Sequence, residues 1–117
     1  YNYVKKIYNE LLHTIDFIPR IEFNDKNFEI TEEYIPDVLT NKNKPSDYIE
    51  QLKNISNTFE KHKLFHNDLH CSHHIRLKKR KIFIIDFVRA TFNVNAGGKN
   101  DRTDISNNIQ NIINRLK

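Results

Sequence analysis

The sequence predicts a small α+β domain, because segments with the apolar spacing of helices alternate with pairs of short strand-like segments. The chain has 117 residues, which fits one domain with a single core. Its composition, 38% hydrophobic and 29% charged with eight Phe and five Tyr, is typical of globular rather than disordered chains. The predicted order is helix, hairpin, helix, hairpin, helix, so antiparallel pairs should pack against helices.

The first helix is predicted over residues 3–15. Apolar side chains recur there at the i, i+3, i+4 and i+7 spacing of one helix face: Val4, Ile7, Tyr8, Leu11, Leu12 and Ile15. A polar turn at residues 24–27 then separates two strand-like segments, 20–23 and 28–35. We expect these segments to pair as a β-hairpin.

The second half of the chain predicts a helix, a hairpin and a last helix. Ser46 is a suitable N-cap for the helix that follows it. Residues 81–87 are rich in Ile and Phe and predict a buried strand, and residues 75–77 should pair with it across a basic turn. A last helix is predicted to begin at Thr103 or Asp104.

Charge and cysteine content restrict the class of protein. The formal charge is +4, and the basic run at residues 76–81 favours a solvated hairpin tip, although nucleic-acid binding is not excluded. The single cysteine, Cys71, cannot form an internal disulfide, which indicates a reducing, cytoplasmic compartment. No apolar run is long enough to span a membrane, so no membrane partner is expected. Because the sequence contains no Met, we expect further residues upstream of Tyr1.

Residues with catalytic chemistry are concentrated in one segment. It reads His-Asn-Asp-Leu-His-Cys-Ser-His-His over residues 66–74 and is followed, after the basic turn, by Ile-Ile-Asp-Phe over residues 84–87. Phosphoryl transfer uses one carboxylate to accept the proton of the attacking hydroxyl and another to hold Mg²⁺ against the phosphates. Asp68, in a loop after a helix, and Asp86, at the end of the next hairpin, should face one pocket.

This segment resembles the catalytic region of the protein-kinase-like superfamily. The shared pattern is His-x-Asp-Leu-His, a short hairpin and Ile-Asp-Phe. It is most similar to small or atypical branches: aminoglycoside and choline phosphotransferases, the Rio kinases and the small kinase of the KEOPS tRNA-modifying assembly. The resemblance implies a minimal kinase-like fold, with a partial N-lobe over residues 1–35 and a reduced helical C-lobe over residues 36–117 that carries the catalytic-loop hairpin.

The resemblance also implies an activity and a set of site residues. The cofactors would be ATP and Mg²⁺, and the γ-phosphoryl group would pass to a hydroxyl of a protein Ser or Thr or of a small molecule. Asp68 would take the hydroxyl proton, His66 would pack behind the catalytic loop, and Asp86 would bind the metal. His73 stands where the family carries a second metal-binding Asn, and would support the metal here. The residues expected to contact the nucleotide are Glu33, Tyr34, Ile35, Asn67 and Ile85.

The same residues are compatible with two functions other than phosphoryl transfer. A catalytically inactive pseudokinase would keep the fold and use it as a docking surface for a protein partner. The other alternative is a zinc-stabilised nucleic-acid-binding domain, because His66, His70 and His74 recur every four residues and would share one face of a helix, close to Cys71.

Overall fold

The computed structural model of the chain describes residues 1–66, 69, 72–87, 91–92 and 105–117. Within these ranges the helices are α1 (Asn2–Glu10), α2 (Tyr48–His62) and α3 (Ile105–Leu116), with single 3₁₀ turns at Leu12–Thr14 and Ser72–His74. The strands are β1 (Ile21–Asn24), β2 (Glu29–Glu32), β3 (Asp37–Val38), β4 (Leu64–Phe65), β5 (Ile75–Lys78), β6 (Lys81–Ile84) and β7 (Thr91–Phe92). The predicted α+β class is confirmed.

The strands of the described residues form three small antiparallel sheets. One is the β1–β2 hairpin, in which Ile21 lies opposite Glu32 and Phe23 opposite Ile30. The second has the order β3–β5–β6, and the third pairs β4 with β7. Since residues directly opposite one another share a sheet face, Ile21, Phe23, Ile30 and Glu32 all project from one side of the first hairpin.

The first helix is shorter than its apolar pattern predicts. α1 ends at Glu10, Leu11 leaves helical geometry at φ −140°, and a 3₁₀ turn follows. The apolar stripe nevertheless faces the core, because the tighter turn still buries Leu12 and Ile15. Periodicity reports which residues are buried, but it does not distinguish one continuous helix from a helix followed by a 3₁₀ turn.

The second helix packs its apolar face, made by Leu52, Ile55 and Phe59, into the core. Its N-cap is Asp47, so the expectation that Ser46 caps the helix is wrong by one residue. The helix ends at His62. The C-cap residue Lys63 has a left-handed conformation (φ 51°), and its N–H donates to carbonyls of the last turn, which is a common way for a helix to stop.

The predicted second hairpin lies in the core. Ile75, Ile82 and Ile84 are buried, and α2 supports the hairpin from outside the sheet. The turn residues Lys79 and Arg80 both have positive φ, which matches the two-residue turn that joins tightly twisted strands. β6 ends at Ile84, three residues earlier than predicted, because the chain then turns at Asp86 with φ 62°.

One apolar cluster joins the elements of the described chain. It is formed by residues of α2, α3, β5 and β6 together with the segment before β1: among them Leu12, Phe17, Leu52, Phe59, Ile75, Ile84, Ile109 and Ile113. None of the helices described is long and apolar enough to cross a membrane. The predicted helix caps Thr103 and Asp104 lie outside the described residues.

Candidate active site

An open groove of about 480 Å³ lies where the first hairpin and α1 face the segment after β6. Its apolar lining comes from Val4, Ile21, Ile30, Ile85 and Phe87, and its polar lining from Glu32, His73, His74, Arg76 and Asp86. The hairpin register explains the first wall, because Ile21, Ile30 and Glu32 lie on the face that α1 does not fully cover. The groove therefore combines apolar walls with two carboxylates, two imidazoles and one guanidinium.

The peptide groups around Ile85 are held from two directions. The Ile85 N–H donates to the carbonyl oxygen of His74 at 2.9 Å. The Ile85 carbonyl oxygen lies 2.7 Å from Nε2 of His66, which must donate because a carbonyl can only accept. His66 is 1% exposed, so this contact is shielded from water. The two hydrogen bonds fix the chain immediately before Asp86.

The conformation of Asp86 is supported on its other side by Phe87. The Phe87 ring is buried edge-to-face against both His66, at a centroid distance of 4.8 Å, and Phe59, at 6.1 Å. Asp86 itself adopts φ 62°, which costs a non-glycine residue roughly 1–2 kcal/mol. A conformation of that cost persists where neighbouring contacts hold it, and such positions cluster at functional sites.

The Asp86 carboxylate meets His74 rather than His73. Nε2 of His74 lies 3.1 Å from Oδ2 of Asp86, and the two side chains are 13% and 43% exposed. His73, which the family resemblance implies as the residue that supports the metal, has an exposed side chain that also lines the groove. Residue counting from Asp68 selected His73, but the orientation of the 3₁₀ turn at Ser72–His74 decides which imidazole reaches the carboxylate.

Glu32 is a second carboxylate of the groove, and no sequence pattern pointed to it. Its Oε2 accepts from the Asp86 N–H at 3.5 Å. Burial raises the pKa of Glu32 and the nearby Asp86 charge adds to this, whereas the Asp86 N–H, His74 and Arg76 act in the opposite direction. The alternation of β2 could have indicated that Glu32 shares a face with Ile30, but not that this face borders Asp86.

The three residues after β2 that were expected to contact the nucleotide, Glu33, Tyr34 and Ile35, have different environments. The Glu33 carboxylate is bound by Lys78 at 2.5 Å, and this hydrogen bond is the main reason why its pKa is lowered. Tyr34 is 81% exposed, and Ile35 is buried with its carbonyl accepting from Arg76. None of these three side chains lines the groove, whereas Ile85, also predicted to contact the nucleotide, does.

Asp68, Asn67, His70 and Cys71 lie outside the described residues. Where the structure is described, no group of three or more His, Cys, Asp or Glu side chains is arranged to hold a metal ion. The zinc alternative required His66 and His74 to lie on one face of the same α-helix. His66 follows strand β4 and His74 ends a 3₁₀ turn, so the two do not belong to one α-helix.

Comparison with known proteins identified no relative, since no family model, no curated protein and no solved structure matches the chain.

Proposed function

We propose that the protein is an ATP- and Mg²⁺-dependent phosphotransferase of the protein-kinase-like superfamily, acting on a hydroxyl group of a protein or a small molecule. The observation that carries the proposal is the placement of Asp86. This residue, which the sequence pattern assigns to the metal, follows a core hairpin and lines an open groove. It comes directly after Ile85, whose carbonyl is bound by His66 and whose N–H is bound by His74.

The order of elements supports the proposal. A helix and a hairpin, α1 and β1–β2, form one wall of the groove, as a partial N-lobe over residues 1–35 would. In the remaining chain, the long helix α2 precedes Asp68 in the sequence and the β5–β6 hairpin follows it. The β4–β7 pair joins the chain at residues 64–65, shortly before Asp68 in the sequence, to the chain at residues 91–92, shortly after Asp86.

The donor set near Asp86 suits Mg²⁺. The groove offers carboxylate oxygens from Asp86 and Glu32, and Mg²⁺ prefers oxygen ligands. His74 is better suited to orienting the Asp86 carboxylate through its hydrogen bond than to ligating, because imidazole favours transition metals. Bound Mg²⁺ would supply charge neutralisation for the nucleotide phosphates. Asp68 would accept the proton of the attacking hydroxyl.

The apolar walls of the groove are suited to a nucleotide base. Ile21 and Ile30 project from the hairpin, and Ile85 and Phe87 also line the groove, so a flat ring would meet apolar side chains from two segments. Small-molecule sites commonly combine such apolar walls with a few convergent polar groups. Here the polar groups are gathered at the Asp86 side, where the phosphates would lie.

The test is calorimetric titration with Mg·ATP of the wild type, Asp86→Asn and Asp16→Asn. Asp16 is an exposed carboxylate near Lys81 outside the groove, so its variant removes the same charge without touching the site. We expect the wild type and Asp16→Asn to bind equally, and Asp86→Asn to bind at least about tenfold more weakly. Transfer of labelled phosphate to a Ser/Thr peptide mixture should then be lost in Asp68→Asn while Mg·ATP binding is retained.

The absence of binding to the wild type contradicts the proposal. That result would favour the docking-module alternative, in which the same fold serves as a surface for a protein partner. Equal binding by the wild type and Asp86→Asn would contradict the metal assignment alone.

A further inference from the structure

The Arg76 side chain connects two walls of the groove through backbone carbonyls. Its Nε donates to the carbonyl oxygen of His73 at 2.6 Å, and its Nη1 donates to the carbonyl oxygens of Ile35 and Pro36, both at 3.1 Å. The guanidinium remains charged at any physiological pH, and its donors have a rigid planar arrangement. Three acceptors therefore fix its position.

These acceptors belong to segments that are far apart in the sequence. Ile35 and Pro36 lie in the connection that leaves the first hairpin, and His73 lies in the 3₁₀ turn before β5. The same 3₁₀ turn carries His74, whose imidazole meets the Asp86 carboxylate. Because the guanidinium binds both segments, it fixes the position of the 72–74 turn relative to the connection that follows the first hairpin.

We propose that Arg76 is a positioning residue, which holds the turn at 72–74 so that His74 keeps the Asp86 carboxylate aimed into the groove. The inference rests on the phosphotransferase function, and it gives Arg76, which also lines the groove, a role that acts through His74. Arg76 acts on Asp86 through two links, the His73 carbonyl and the His74 imidazole.

Lys78 provides a matched comparison on the same strand. It lies two residues after Arg76 and also reaches the connection after β2, but it bonds the Glu33 side chain rather than backbone carbonyls. The side chains of Lys78 and Glu33 are 41% and 35% exposed, and an ion pair this accessible to water contributes little to stability. Lys78→Gln therefore removes a cation near the same connection while leaving the 72–74 turn in place.

The experiment records the ¹⁵N resonances of the His74 imidazole and the Mg·ATP affinity for the wild type, Arg76→Met, Arg76→Lys and Lys78→Gln. His74 is assigned by comparison with His74→Gln. We expect Arg76→Met to shift and broaden the His74 Nε2 signal and to weaken Mg·ATP binding about tenfold, as loss of a group that orients a metal ligand does. Arg76→Lys should keep the wild-type His74 signal and Mg·ATP affinity only in part, because an ammonium lacks the planar arrangement of donors in a guanidinium. Lys78→Gln should change neither quantity.

The two readouts separate the inference from the proposed function. An unchanged His74 signal in folded Arg76→Met overturns the positioning inference, even if the variant melts at a lower temperature. If the wild type does not bind Mg·ATP, the phosphotransferase proposal is wrong, and the His74 resonance alone decides whether Arg76 positions the turn. Should Arg76→Met fail to fold, the same comparison is made with Arg76→Lys, and a wild-type His74 signal there overturns the inference.

Discussion

The two hairpins of this protein have the same local topology but different support. In β5–β6, alternate residues are buried in the main cluster, as for Ile75, Ile82 and Ile84. In β1–β2, only Ile21 is buried, and Ile30 is 39% exposed. Asp86 follows the hairpin in the core, where the chain is held in place. The outer hairpin contributes the apolar residues Ile21 and Ile30 and the acidic residue Glu32 to the same groove.

The contacts outside each sheet show the same contrast. Two N–H groups of β6 are bound from elsewhere in the fold, Ile82 by Oε1 of Gln51 at 2.8 Å and Ile84 by the carbonyl of Phe17 at 2.9 Å. The outer hairpin is bound to the first helical segment by aromatic contacts of Phe23 with Tyr1 and Tyr8. The Ile21 N–H also donates to the Tyr8 hydroxyl, at the longer distance of 3.4 Å. An isolated two-stranded hairpin is only marginally stable in water, so these contacts maintain the groove wall.

The largest expected effect comes from truncating the core hairpin. Ile84→Ala should lower the free energy of unfolding by about 2–5 kcal/mol, because Ile84 is fully buried and its removal leaves a cavity. Ile30→Ala is the matched change in the outer hairpin and should stay within about 1 kcal/mol, as for an exposed site. Urea unfolding of the two variants measures the difference. Equal losses would show that the two hairpins are packed alike.

Removing the brace between α2 and the core hairpin should have an intermediate effect. Gln51 accepts from the Ile82 N–H and donates to the carbonyl of Arg80 at 3.0 Å. Gln51→Ala leaves a partly buried N–H without this partner, so we expect a loss of about 1–3 kcal/mol. Gln110→Ala, at an exposed position of α3 where Gln110 donates to Asn114 in the neighbouring helical turn, is the control and should change little. If Gln51→Ala is as stable as this control, the Gln51 hydrogen bonds do not stabilise the core hairpin.

The smallest expected effect is a difference in pH dependence between neighbouring residues at the end of β2. Burial raises the pKa of Glu32, so the native state holds its proton more strongly than the unfolded chain does. The Glu32 contribution to the free energy of unfolding therefore falls as pH rises from about 4.5 through the higher pKa of the folded state. The wild type should lose stability relative to Glu32→Gln between pH 4 and pH 7.

Glu33 should behave in the opposite way. The hydrogen bond from Lys78 lowers its pKa, so its contribution is present above the unfolded value and is lost as pH falls through the lower pKa of the folded state. The wild type should gain stability relative to Glu33→Gln between pH 4 and pH 7, by a small amount because the pair is solvent-screened. Urea titrations at both pH values measure the two slopes, and slopes of the same sign would contradict the assignment.

The predictions from sequence succeeded where burial depends on local spacing. The apolar stripe of α2, the turn between β1 and β2, and the Ile-rich strand β6 are each encoded within a few residues. They were less accurate at element ends, where Leu11 interrupts the first helix and Asp47 replaces Ser46 as the cap. These boundaries depend on which backbone groups find partners, and spacing does not record that.

By itself the sequence determined the α+β class and the two hairpins, because these follow from hydrophobic period and turn composition. The metal role of Asp86, which the family resemblance implies, stays a prediction. Only the tertiary structure decided that His74 rather than His73 meets Asp86, that Glu32 lies beside it, and that Arg76 joins the turn to the connection after the first hairpin. These three contacts link residues of different segments. Their geometry depends on how the segments pack, since spacing along one segment carries no information about which side chain faces another.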